Sequence, residues 1–159
     1  MSDVIYADEV VTNALIREVD LAAFGATGKL ALITIDNGLD HTRPTTLGPQ
    51  SMRNINAAID QALAMNPTAI AVTGKPFILA AGADLSGISA LTSKEDAASV
   101  IKFGHDAYAK LRTSKIPTFC FVNGLALGGG TELALSCQYR TIAATAFIGL
   151  PEVFIGLLP

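Results

Sequence analysis

Tryptophan is absent from this 159-residue chain, and there are only two cysteines and two histidines. Seven phenylalanines and three tyrosines supply no aromatic platform for stacking bases. Charged residues make up 16%, with 11 basic against 14 acidic and no run of either sign. The basic stripe that a nucleic-acid binder carries is therefore missing. Cys120 and Cys137 stand in apolar surroundings without CxxC spacing. They read as buried reduced thiols rather than a disulfide or a ligand pair. His41 and His105 are remote in sequence from each other and from both cysteines, so no metal site is expected. Long hydrophobic runs are lacking too. The apolar stretches at 69–72, 77–81 and 118–122 fall far short of the roughly 20 residues that a membrane span needs. Asp3, Asp8 and Glu9, with no basic segment before an apolar core, do not read as a signal peptide. The expectation is a cytoplasmic protein.

What the chain does have is apolar material. Half of its residues are hydrophobic, enough for one well-filled core and incompatible with intrinsic disorder. No repeat, low-complexity tract or linker divides it. Strands are expected at Lys29–Asp36, 68–73, 117–122 and 140–144, each ending in a polar or glycine-bearing turn or loop. Met52, Ile55, Ile59 and Ala62 are spaced 3, 4 and 3, which predicts a helix over about Pro49–Ala64. Ala97, Val100, Ile101, Gly104, Tyr108 and Leu111 form a second stripe, with Ser93 and Asp96 as its cap. A third, shorter helix is expected to open at Gly128–Gly130 and run through Leu133, Leu135 and Cys137. Strands alternating with helices predict an α/β fold with right-handed crossovers. The final residues, 154–159, form an apolar run without a polar cap, which reads as a piece of a longer chain. An apolar patch near 147–158 and self-association through it are expected.

Three segments can carry chemistry. The first is NGLALGGGTE at 123–132, placed after a strand and opening a helix. Its glycines let a ligand approach the backbone, and N–H groups at a helix start are free to meet negative charge. A dinucleotide fingerprint fails because Leu133 stands where a third glycine is needed. A phosphate loop fails because Leu30 follows Gly28–Lys29 and Pro76 follows Gly74–Lys75. The second segment is AAGAD at 80–84, whose small residues expose backbone donors as an oxyanion hole requires. Asp84 also suits a helix N-cap. The third is Leu150-Pro151-Glu152, where a carboxylate sits in an apolar stretch at a desolvation cost. With Glu132 it offers two carboxyl groups for acid–base work. On spacing alone, Glu132 as a complement to the helix dipole and Glu152 as a surface residue are the favoured readings.

In combination, AAGAD, NGLALGGGTELAL at 123–135 and GLPEVFIGLLP at 149–159 resemble the crotonase, or enoyl-CoA hydratase/isomerase, superfamily. The likeness runs from about Lys29 to the last residue. GLDHTRPTTLG at 38–48, with the segment before residue 29, is most similar to the hydratase module of multifunctional fatty-acid oxidation proteins, where a 3-hydroxyacyl-CoA dehydrogenase portion follows. The resemblance implies an α/β, crotonase-like (ClpP/crotonase) spiral of ββα units, cut before its C-terminal helices. It divides the chain into an N-terminal extension, 1–28, and a crotonase-like core, 29–159.

It also implies a site. The backbone N–H groups of Ala83 and Gly129 form an oxyanion hole for the thioester carbonyl, and Glu132 and Glu152 are the catalytic pair. Glu132 is assigned to water activation and Glu152 to proton transfer at C2. Ala81, Gly82, Asp84, Leu85, Gly128 and Arg43 are expected to contact the substrate, Arg43 in place of the family's usual Asn-Ala-Leu stretch. The implied reaction is hydration of trans-2-enoyl-CoA to 3-hydroxyacyl-CoA in fatty-acid β-oxidation. The alternatives are Δ3–Δ2 enoyl-CoA isomerisation, or an inactive acyl-CoA-binding or assembly fragment. No metal or covalent cofactor is implied. Coenzyme A enters as the thioester substrate, and NAD only where a dehydrogenase module follows. A homo-oligomer or a thiolase-type partner is expected for the longer protein.

Overall fold

A computed structural model describes residues 4–91 and 93–159. Five strands form the main sheet: β1 (Asn13–Asp20), β2 (Lys29–Asp36), β3 (Ala69–Gly74), β5 (Thr118–Val122) and β7 (Tyr139–Ile142), in that spatial order. β1 pairs antiparallel with β2 along its whole length, and the other neighbours are parallel. A second, three-stranded parallel sheet holds β4 (Phe77–Ala80), β6 (Gly124–Leu127) and β8 (Ile148–Gly149). The helices are α1 (Pro49–Ala64), α2 (Lys94–Arg112) and α3 (Gly129–Ser136).

The order is repetitive. A strand in the main sheet, a strand in the small sheet and a helix recur as β3-β4-α2 and then β5-β6-α3. This is the crotonase-like spiral of ββα units. Long crossovers between parallel strands are what bring the ends of β4, β6 and β8 side by side.

The expected helices form where the pattern puts them. In α1, Met52, Ile55, Ile59 and Ala62 are all buried. α2 begins after Ser93, whose hydroxyl accepts the Asp96 N–H at 3.0 Å. Its stripe is only half realised, however. Tyr108 and Leu111 are buried, as is Ala107 outside the stripe, whereas Ile101 is 59% exposed. The core is filled by Ile33 and Ile35 of β2, Ile70 and Val72 of β3, and Cys120 and Val122 of β5, together with the α1 stripe. Each fully buried aliphatic side chain contributes about 1.5–3 kcal/mol. Cys120 and Cys137 are buried free thiols. Their mutual hydrogen bond, then burial, pushes the Cys120 thiol up.

Segment 4–12 lies across the start of α1. Gly48 offers that helix no side-chain cap, and the Glu9 carboxylate takes the role, accepting Ser51 N–H at 2.8 Å and Gln50 N–H at 3.0 Å. At the other end of the chain, Phe147, Val153, Phe154, Leu157 and Leu158 are exposed. Among the described residues, no helix is long and apolar enough to cross a membrane.

Candidate active site

The glycine turn joins β6 to α3. Gly128 stands at φ +50°, where a side chain is strained, and donates its N–H to Gly149 O at 3.0 Å. Gly129 is the first residue of α3, so its N–H has no carbonyl one turn earlier to bond. Glu132 N–H closes the first helical bond on Gly128 O at 3.0 Å. Gly130 packs so closely on β4 that an added Cβ would strike the Ala80 carbonyl oxygen.

The stretch after β4 meets this turn. Leu47 pairs in parallel with Ala83: Leu47 N–H donates to Gly82 O at 2.9 Å and Asp84 N–H to Leu47 O at 3.2 Å. A parallel bridge of this kind leaves the N–H of Ala83 itself facing away from Leu47. Gly82, at φ +92°, brings the two segments together. A Cβ there would lie 3.6 Å from Gly129 N and 3.0 Å from Leu127 O.

Each glutamate flanks one of two adjacent glycines. A Cβ on Gly129 would lie 3.9 Å from Glu132 Oε2, and one on Gly128 would lie 2.5 Å from Glu152 Oε1. Glu152 Oε2 is buried and has no hydrogen-bond partner among the described residues. Such an orphaned acceptor costs roughly 1–3 kcal/mol. Thr131 ties the two carboxylate-bearing segments together, its Oγ1 lying 2.7 Å from both Ala126 O and Gly149 O.

The sequence profile of the enoyl-CoA hydratase/isomerase family matches residues 26–159. The chain belongs to this family. The fatty acid oxidation complex subunit alpha of Shewanella amazonensis is 34% identical over 134 residues, covering 82% of this chain and 19% of its own length. The protein of the same name from Shewanella loihica is 42% identical over 92 residues, 57% of this chain and 13% of its own. The chain thus spans less than a fifth of these curated relatives. A solved enoyl-CoA hydratase/isomerase from Xanthobacter autotrophicus superimposes with a TM-score of 0.76 at 26% identity, over 92% of this chain and 51% of its own.

Against this enoyl-CoA hydratase/isomerase background, the expected site residues divide into groups. Ala83, Gly82, Gly128, Gly129, Glu132 and Glu152 converge on one turn. Ala81 donates its N–H to Thr45 O at 2.7 Å, which extends the pairing of the 45–47 stretch with 81–84. Asp84 is buried and accepts Ser86 N–H at 3.0 Å and Ser86 Oγ at 2.6 Å, a local cap for the 3₁₀ turn Leu85–Ala90. Leu85 is half exposed. Arg43 is exposed on the 37–48 loop, its backbone N–H bonded to Asp40 O at 3.1 Å.

Two residues near this family site carry roles that periodicity did not single out. Lys75 is 3% exposed, yet its ammonium donates to Asn37 Oδ1 at 2.6 Å, Asp40 O at 2.9 Å and Leu39 O at 3.2 Å. Asn37 in turn donates to Pro44 O at 2.9 Å, so one buried cation organises the loop that leads to Leu47. Tyr108 is also buried, and its phenol donates to Gly129 O at 3.2 Å. Burial, then the Glu132 carboxylate, pushes this phenol well above its usual range. A buried hydroxyl that needs a partner was the available signal. Glu132 and Tyr108 line a cavity of about 380 Å³ with His105, Arg112, Leu135, Ser136 and Pro159. A separate cavity of about 290 Å³ lies between α1 and α2 and includes neither glutamate.

Proposed function

We propose that this chain carries the catalytic half of an enoyl-CoA hydratase, adding water across the C2–C3 double bond of a trans-2-enoyl-CoA. The observation that carries the reading is the placing of two carboxylates, Glu132 and Glu152, on one glycine turn beside the backbone N–H groups of Ala83 and Gly129, for which no acceptor stands among the described residues.

The thioester oxygen is held by the N–H groups of Ala83 and Gly129, with the α3 dipole behind the second. As water oxygen bonds to C3, the C2–C3 π electrons move toward the carbonyl and charge builds on that oxygen. Donors already in place there contribute several kcal/mol, about 2.7–4 for a single one. Glu132 accepts the proton of the attacking water. Protonated Glu152 gives its proton to C2, and the enolate collapses to the 3-hydroxyacyl thioester. The proton then passes from Glu132 back to Glu152, which closes the cycle. Ala81, Gly82, Asp84, Leu85 and Gly128 line the thioester path, and Arg43 takes a phosphate of coenzyme A.

The names of the Shewanella relatives support a place in fatty-acid β-oxidation for the longer protein. In that setting a dehydrogenase portion would use NAD, a thiolase-type subunit would be the partner, and the compartment would be the cytoplasm. Δ3–Δ2 isomerisation needs the same oxyanion hole and only one carboxyl group.

Loss of crotonyl-CoA absorbance at the conjugated thioester band, followed with this chain and with a longer protein containing it, tests the reading. Hydration bleaches the band. No bleaching by either protein defeats the hydratase reading, and isomerisation of a 3-enoyl-CoA in its place establishes the other activity.

A further inference from the structure

Consecutive glycines are the least constrained backbone available, whereas an oxyanion donor stabilises charge only when it is already aimed. The peptide that carries the Gly129 N–H is therefore informative about what fixes it. The preceding peptide is held by Gly128 N–H on Gly149 O at 3.0 Å, and the peptide itself by its carbonyl, Gly128 O, which accepts Glu132 N–H at 3.0 Å. The following peptide is held by a side chain from another element: Gly129 O accepts the Tyr108 phenol at 3.2 Å. Tyr108 is 4% exposed, and its other acceptor is the thioether of Met52 at 3.7 Å, a weak one. A ring alone would fill this space. Burying the hydroxyl costs desolvation free energy unless the bond to Gly129 is made.

We propose that Tyr108 is a positioning residue for the oxyanion hole: its phenol fixes the Gly129–Gly130 peptide and so aims the Gly129 N–H at the thioester oxygen. This rests on the hydratase reading of the same site. Burial, then the nearby Glu132 carboxylate, keeps the phenol protonated, so it remains a donor throughout the working pH range. Tyr108 touches no reacting atom; it acts through Gly129.

Tyr108→Phe keeps the ring and removes the donor. The expected result is a roughly tenfold fall in crotonyl-CoA kcat with KM changed less than about twofold, smaller than the loss of a donor itself. The infrared carbonyl stretch of bound butyryl-CoA, lowered by the hole in the wild type, should move back toward its value in free solution. A purely structural tyrosine lowers Tm and leaves both kcat and the carbonyl stretch in place; that pattern overturns the proposal. Should Tyr108→Phe fail to fold, 4-fluorophenylalanine at position 108 fills the phenol's volume without a donor and gives the same two readouts. Binding of butyryl-CoA by the wild-type chain, with no hydration by it or by the longer protein, defeats the hydratase reading alone. The carbonyl stretch still decides the role of Tyr108, because polarising a bound thioester needs no turnover.

Discussion

Glu132 lies in the first turn of α3, a helix with five buried residues whose start is held by Gly149, Thr131 and Tyr108. Glu152 lies in a 3₁₀ turn, Glu152–Ile155, that buries none of its residues. The contrast teaches that two side chains beside adjacent glycines owe their places to different things. One is fixed by a packed helix. The other depends on Thr131 and on the contact with Gly128, because its own segment has little packing to hold it.

The strongest way to break this pairing is to silence either carboxylate. Glu132→Gln and Glu152→Gln should each lower hydratase kcat by about 10²–10⁴-fold with little change in acyl-CoA affinity. The double mutant should lose far less than the product of the two, because the groups act as a unit. If Glu132 only complements the helix dipole, stability falls by ~0.3–1 kcal/mol and kcat is retained. Steady-state kinetics and Tm on the same proteins separate the two outcomes.

A smaller effect is expected on the Ala83 side. Lys75→Met leaves the buried Asn37 Oδ1 and the partly buried carbonyl oxygens of Leu39 and Asp40 without their charged donor. Stability should drop by roughly 1.5–3 kcal/mol, measured as a shifted denaturant midpoint. KM for crotonyl-CoA should rise more than kcat falls, since the loop rather than the carboxylates is loosened. Wild-type stability would mean that the loop holds itself.

Gly128→Ala sharpens the comparison from the weaker side. The new methyl group meets Glu152 Oε1 at 2.5 Å and a backbone at φ +50°. A loss of about 1–3 kcal/mol is expected, with displacement of Glu152 read as a fall in kcat. Gly149→Ala is the control, because its added methyl meets only Leu127 Cδ2 at 3.6 Å. The least costly change is at the surface. Phe154→Ser and Leu158→Ser, at side chains 88% and 91% exposed, should alter stability by no more than about 0.5 kcal/mol. Both should reduce self-association in light scattering; unchanged scattering would place association elsewhere.

The sequence disclosed the three helices and four strands of the main sheet, but neither β1 nor the second sheet. The stripe in α1 and the Ser93 cap of α2 were readable because several residues agree on one period. β4, β6 and β8 have four, four and two residues, too few for alternation to register, so the second sheet was invisible. β1 escaped because Leu15 and Ile16 stand side by side and blur the pattern of a strand covered on one face. Ile101 fits the helical period of α2 and still faces outward, since nothing in the sequence says where the neighbouring surface ends. At the site, the glutamates and glycines stood out as residue types, but their roles came from family resemblance rather than spacing. In the sequence, Lys75 stands out only within a failed phosphate loop and Tyr108 only within a helical stripe. Their partners are backbone oxygens, and backbone oxygens leave no mark in a sequence.

The bond between Gly128 and Gly149 has a consequence for the order in which the molecule is made. A chain emerging from the ribosome N-terminus first can pair β1 with β2 and seat α1 against them before α3 exists. The glycine turn cannot be finished then, because the oxygen that holds Gly128 belongs to a residue 21 positions further on. The glycine turn thus sets after β1, β2 and α1 can be in place, so a nascent chain would acquire the first part of its main sheet before the turn that we propose polarises a thioester.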